Sequence, residues 1–152
     1  MTIQFDYSGK VALVTGAGTG IGRAAAVAFG KAGASVAVVG RSQANIQETV
    51  DLIEKAGGRA IAIQADVSHE DDVKAAVDKT VEAFGGLDFA FNNAGVEQPA
   101  TAVADISTDE WERQITINLT GVFFGLKHQI PAMLKRGGGS IVNTGSGAAV
   151  KG

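Results

Sequence analysis

Five short runs made almost wholly of apolar residues recur along the chain at near-regular spacing. They are Val11-Ala-Leu-Val14, Ser35-Val-Ala-Val-Val39, Ala60-Ile-Ala-Ile63, Leu87-Asp-Phe-Ala-Phe91 and Ser140-Ile-Val-Asn143. A strand with one face in water alternates apolar and polar residues; a strand covered on both faces does not. Helix-length stretches separate these runs, at roughly Ile21 to Ala32, Gln43 to Ala56, Glu70 to Phe84 and Asp109 to Lys135. The order is therefore βαβαβαβαβ. Short connections and right-handed crossovers then predict a doubly wound α/β sheet of the Rossmann type. Its strands are parallel in the order 3-2-1-4-5, in three α/β/α layers.

Local chemistry marks the ends of these stretches. Ser68-x-x-Asp71 and Ser107-x-x-Glu110 read as capping boxes, in which a hydroxyl and a carboxylate satisfy backbone amides at a helix start. Ser42 reads as a helix N-cap, and Gly33, Gly57 and Gly85 stand where C-terminal caps belong. Linkers, repeats and low-complexity segments are absent, and 152 residues with 45% hydrophobic content suit one domain spanning 1–152. The sequence ends at Val150-Lys-Gly152, directly after the fifth run and with no further helix to cover it, so the domain is expected to be C-terminally incomplete.

Charge and composition narrow the function. A formal net charge of -3 without single-sign runs argues against nucleic acid as a partner. The absence of cysteine removes disulfides and thiolate chemistry and fits a reducing, cytoplasmic setting. The segment Met1 to Lys10 lacks the pattern of a signal peptide, and no apolar run is long enough to span a bilayer.

The first apolar run leads straight into Thr15-Gly16-Ala17-Gly18-Thr19-Gly20-Ile21-Gly22 and then a helix opening with Ala24-Ala-Ala26. Small residues there let a phosphate approach the backbone, and the free amides and dipole at the helix start favour a diphosphate. A tight strand-to-helix turn that binds nothing is the alternative. The spelling is not that of a P-loop, which needs a lysine after the glycines, nor of Gly-x-Gly-x-x-Gly, because Ile21 stands at the third glycine position.

The second run ends in Gly40-Arg41-Ser42. Folds that bind NAD commonly place an acid here for the ribose 2′-hydroxyl, whereas a guanidinium pairs with a 2′-phosphate. Arg41 thus favours NADP over NAD, against the alternative of a solvated surface arginine. The third and fourth runs end in Asp66-Val67 and Asn92-Asn93-Ala94-Gly95, at the sheet edge where such folds bind ligands. Taken singly, Asp66 could simply lead into the Ser68 cap, and Asn92 to Gly95 could be a polar turn.

Together, Thr-Gly-x-x-x-Gly-Ile-Gly and Asn-Asn-Ala-Gly at this distance resemble the short-chain dehydrogenase/reductase family, and the resemblance extends over the whole chain. It implies an oxidoreductase passing hydride between NADP(H) and a small carbonyl or alcohol substrate. It places Gly16, Gly18, Thr19, Gly20, Ile21 and Gly22 at the diphosphate, Asp66 and Val67 at the adenine, and Asn93, Ala94 and Gly95 near the adenosine ribose. Asn118, in Ile117-Asn118-Leu119-Thr120-Gly121, matches the asparagine that supports a proton-relay water; a surface or back-bonded side chain is the alternative. Ser146 matches the serine that orients the substrate oxygen, although Gly145 stands where the family usually has a first serine, and a flexible Gly/Ser loop is the alternative.

The family's proton donor is a tyrosine with a lysine one helical turn later. Tyr7, the single tyrosine, comes too early, and Lys151 lacks that setting, so the catalyst is expected beyond Gly152. A non-catalytic dinucleotide-binding module, or a scaffold binding no nucleotide, are the competing readings. The family also implies a homodimer or homotetramer, with Trp111, Phe123 and Phe124 as candidates for core or interface burial. A serine hydrolase elbow fails, since Thr144 and Ala148 replace its glycines. His69 and His128 form no metal-binding pair, and Asp71-Asp72 reads as first-turn helix charge.

Overall fold

The structure, a computed structural model, describes residues 5–147. Ala148 and Lys151, weighed above, lie outside the described residues. Five strands form one parallel sheet: β1 (Val11–Thr15), β2 (Ser35–Gly40), β3 (Arg59–Gln64), β4 (Phe89–Asn92) and β5 (Ser140–Asn143). Their spatial order is β3-β2-β1-β4-β5, as the sequence predicts. β1 lies at the centre and pairs Val11 to Thr15 with Ser35 to Val39 of β2 on one side and Ala12 to Val14 with Phe89 to Phe91 of β4 on the other.

Every residue of β1 is buried, which explains its uninterrupted apolar run. Alternate side chains enter two separate cores. Val11 and Leu13 join Ala37, Val39, Ile63, Val77 and Met133 on one face, while Ala12 and Val14 join Val36, Val38, Ile46, Val50 and Ile53 on the other. The second core is covered by α1 (Gly20–Lys31) and α2 (Gln43–Lys55). The first is covered by α3 (Glu70–Phe84) and α5 (Gly121–Lys135). Helices on both faces make the three-layer, doubly wound arrangement. At the amino edge Tyr7 packs between Phe29 and Phe89, with ring centroids 5.8 and 4.9 Å away.

Three local expectations need correction. The stretch from Asp109 to Lys135 is not one regular helix. α4 (Thr108–Ile115) gives way to a π-helical turn over Thr116–Thr120 before α5 begins. Thr116, Asn118 and Thr120 are weak helix formers within five residues, and the Asn118 amide is drawn to a neighbouring loop.

Ser68 does not cap α3. The N-cap is His69, without a side-chain cap bond, because Ser68 Oγ instead donates to Asp66 Oδ1 at 2.7 Å. The predicted strand from Leu87 starts two residues late, at Phe89: Asp88 turns its carboxylate to accept from Val11 N at 2.8 Å and to pair with Arg136 at 3.0 Å.

Other caps stand as predicted. Asn45 N donates to Ser42 Oγ and Glu110 N to Ser107 Oγ, and Gly33, Gly57 and Gly85 adopt positive φ just after their helices. The Glu110 carboxylate, however, turns to Arg113 and Gln114.

Candidate functional site

Sheet order reverses between β1 and β4, and the connections leaving the two strands diverge to opposite faces, opening a crevice at the carboxyl edge. A cleft of about 640 Å³ lies there, a volume typical of small-molecule sites. The glycine turn, Gly40 to Ser42, Ala65 to Val67, Asn93 to Glu97 and Ile117 line it. The sequence-selected residues Gly16, Gly18, Thr19, Gly20, Ile21, Arg41, Asp66, Val67, Asn93, Ala94 and Gly95 thus converge on one cavity from four strand ends.

Gly22 is the exception. It lies beneath the turn, where an added Cβ would sit 2.2 Å from Gly16 O and 2.6 Å from Asn93 Nδ2. Only glycine lets α1 start this close to the strand end. Gly16 has φ 63°, and a Cβ there would reach 2.9 Å from Ala94 Cα.

The two walls are stitched together by Thr15. Its hydroxyl accepts from Asn93 N at 3.0 Å and Ala94 N at 3.1 Å, and Asn93 Nδ2 donates to Thr15 O at 3.3 Å. Asn92 points the other way, into the protein. It exchanges two amide hydrogen bonds with Gln129, at 2.7 and 3.0 Å, and donates to Asn143 Oδ1 at 2.9 Å. That buried pair anchors the end of β4 to α5 and β5, a role the sequence does not disclose.

Ala17 N donates to Val39 O at 3.0 Å and Arg23 N to Thr19 O at 3.1 Å. Between them, the amides of Gly18, Thr19, Gly20, Ile21 and Gly22 donate to nothing among the described residues. Consecutive unsatisfied amides at the positive end of a helix form an anion site. Across the cleft, the guanidinium of Arg41 is exposed and has no ion-pair partner among the described residues. Its backbone is held, since Gln64 Nε2 donates to Arg41 O at 2.9 Å.

Asp66 is organised by its own turn, accepting from Ser68 N at 2.9 Å and Ser68 Oγ at 2.7 Å. Partial burial pushes its carboxyl up, but the Ser68 hydrogen bonds and the charge of Arg41 outweigh this and hold it below the usual value. Its amide donates to Asp72 Oδ2 at 2.9 Å, so one of the first-turn acids has a specific task.

The two residues selected for catalysis are outside the cleft lining. Asn118 is in the π-helical turn next to Ile117, and its amide spans Val96: Oδ1 accepts from Val96 N at 2.8 Å and Nδ2 donates to Val96 O at 2.9 Å. Ser146 follows β5 on an exposed segment, whose strand end is tied to β4 where Thr144 N donates to Asn92 O at 3.1 Å. Tyr7 lies at the opposite edge of the sheet. Among the described residues no cluster of His, Asp or Glu could hold a metal ion, and no helix is long and apolar enough to cross a membrane. His128 instead meets Glu70 Oε1 at 3.0 Å.

Comparison with known proteins yields consistent matches. The family model described as short chain dehydrogenase matches residues 10–152. A cyclohexanol dehydrogenase from Acinetobacter sp. (strain SE19) is 42% identical over 146 residues, covering 96% of this chain and 58% of that protein. The chain therefore spans little more than half the length of the curated relatives it matches. A short-chain type dehydrogenase/reductase from Mycobacterium marinum superposes with a TM-score of 0.90 at 41% identity, over 94% of this chain and 58% of that one. A 7α-hydroxysteroid dehydrogenase, solved with NADH and 7-oxo glycochenodeoxycholic acid, superposes with a TM-score of 0.92 at 34% identity, over 98% and 58%.

Proposed function

Since the chain belongs to the short-chain dehydrogenase family, we propose that its cleft holds NADP(H) and that the protein transfers hydride between this cofactor and a small carbonyl or alcohol substrate. The observation that carries the reading is the meeting in one cleft of five amides, Gly18 to Gly22, that donate to no described residue, and an Arg41 guanidinium without an ion-pair partner among the described residues. A dinucleotide has a diphosphate for the first and, in its phosphorylated form, a 2′-phosphate for the second.

In this reading the turn from Gly16 to Ile21 binds the diphosphate, with Gly22 supporting it from below. Arg41 grips the 2′-phosphate, Asp66 and Val67 border the adenine, and Asn93, Ala94 and Gly95 border its ribose. The nicotinamide, when bound, supplies or accepts the hydride. Asn118 holds the Val96 backbone and supports a proton-relay water, and Ser146 hydrogen-bonds the substrate oxygen, stabilising the charge that develops there. Acid–base catalysis is assigned to a Tyr/Lys pair of the family type.

NAD is the second reading, favoured by the NADH in the hydroxysteroid dehydrogenase neighbour. A homodimer or homotetramer is part of the proposal: Trp111, Leu119 and Phe123 are exposed along the segment from α4 to α5, Trp111 by 60% and Phe123 by 56%. A cytoplasmic location completes it. The test is to follow NADPH absorbance in the full-length protein against a panel of ketones and aldehydes. Cofactor-dependent turnover is expected; binding without turnover on any carbonyl would instead mark a non-catalytic module.

A further inference from the structure

The diphosphate turn is held from behind by side chains that face away from the cleft. Thr49, fully buried on α2, places Oγ1 2.9 Å from Ala17 O and 3.1 Å from Asn45 O. Arg23, on α1, donates from Nε to Thr49 Oγ1 at 3.0 Å. Its Nη2 donates to Gly18 O, to Asn45 O at 3.3 Å and to Glu48 Oε2 at 2.7 Å. The result is a closed network in which Ala17 O is held from α2 and Gly18 O from α1, by an Arg23 side chain itself bonded to α2.

A trans peptide points its C=O and its N–H in opposite directions. Holding Ala17 O therefore sets where Gly18 N–H points, and holding Gly18 O sets where Thr19 N–H points. Both Gly18 and Thr19 line the cleft. With Ala17 O tied to Thr49 of α2 and Gly18 O to Arg23 of α1, the N–H groups of Gly18 and Thr19 are directed away from those anchors before any anion arrives. Gly18 is pressed onto α2, since a Cβ there would lie 3.0 Å from Asn45 Cβ.

We propose that Arg23 and Thr49 are positioning residues, which preorganise the amides of Gly18 and Thr19 for the cofactor diphosphate by anchoring the carbonyls behind them. The proposal rests on the cofactor reading above. Arginine is required because its fork reaches the hydroxyl through Nε and the carbonyl through Nη2 at once; a lysine ammonium cannot reproduce that geometry. Glu48 fixes the fork and balances its charge.

The diphosphate is common to NADPH and NADH, which separates this role from one at the 2′-phosphate. In the full-length protein, NADPH and NADH are titrated into wild type, Arg23→Met, Arg23→Lys, Thr49→Val and Thr49→Ser. Melting temperatures of the cofactor-free samples are recorded alongside. Arg23→Met and Thr49→Val are expected to weaken both cofactors by the same factor, about tenfold. Thr49→Ser keeps the hydroxyl and is expected to bind like wild type, with Arg23→Lys intermediate.

Unchanged affinity in Arg23→Met and Thr49→Val while wild type binds would overturn the proposal alone. A changed NADPH to NADH ratio would also overturn it, by moving the effect to the Arg41 end. A wild type that binds neither cofactor would overturn the site reading itself.

Discussion

The side-chain amide of Asn118 pairs with both backbone groups of Val96, accepting from its N–H at 2.8 Å and donating to its C=O at 2.9 Å. Geometrically this is a strand bridge made by a side chain, and it fixes the loop that forms one wall of the cleft. Gln114 Oε1, one turn earlier, accepts from the same Nδ2 at 2.7 Å and sets the orientation of the amide. Asn118 lies within the π-helical turn over Thr116–Thr120.

Asn118→Ala is expected to lower kcat by about tenfold to a hundredfold through misplacement of this wall. Amide hydrogen exchange at Val96 is expected to rise in the same variant. Unaltered protection at Val96 would show that the loop is held by something else.

Two glycines of one turn should respond differently to the same methyl group. Gly22→Ala drives a Cβ into the Gly16 backbone oxygen, which cannot move aside as a side chain would, and is expected to cost about 3 kcal/mol, the upper end of overpacking. Gly20 has φ 52° but open space around it, so Gly20→Ala should cost about 1 kcal/mol from backbone conformation alone. Denaturant unfolding of both variants measures the ordering; equal costs would contradict the close approach at Gly22.

Arg41→Asp is expected to weaken NADPH by about tenfold to a hundredfold, because a charge-assisted contact to phosphate is replaced by repulsion. NADH should bind as well as before or better. Equilibrium titration reads this directly, and an unchanged preference would remove Arg41 from the 2′-phosphate.

The carboxyl of Asp66 titrates below its ordinary value of 3.8 in the folded protein. Its contribution to stability is therefore fully present above the unfolded value and disappears as pH falls through the folded one. Wild type should exceed Asp66→Asn in stability near neutral pH, with the gap narrowing as the pH is lowered below the ordinary carboxylate value. A constant gap across chemical denaturation at both pH values would show that the charge contributes nothing.

Much of this arrangement is written locally in the sequence. Strands buried on both faces must be apolar at consecutive positions, so β1 and β2 declare themselves, and the residues just past strand ends must line the crevice. Elements that depend on distant partners are hidden. Thr49 looks like a helical surface residue until α1 delivers Arg23 to it, and Asn92 looks like a turn residue until α5 presents Gln129. The Ser68 cap fails for the same reason in miniature, since pattern does not reveal that Asp66 folds back to take the hydroxyl. The π-helical turn carries no glycine or proline to announce it.

The cleft between the glycine turn and Arg41 is the proposed site for NADP(H). Isothermal titration of NADPH and NADH into the full-length protein tests it most directly. One equivalent of NADPH is expected to bind per chain, at least about tenfold more tightly than NADH. Absence of heat and of competition with either cofactor would contradict the account.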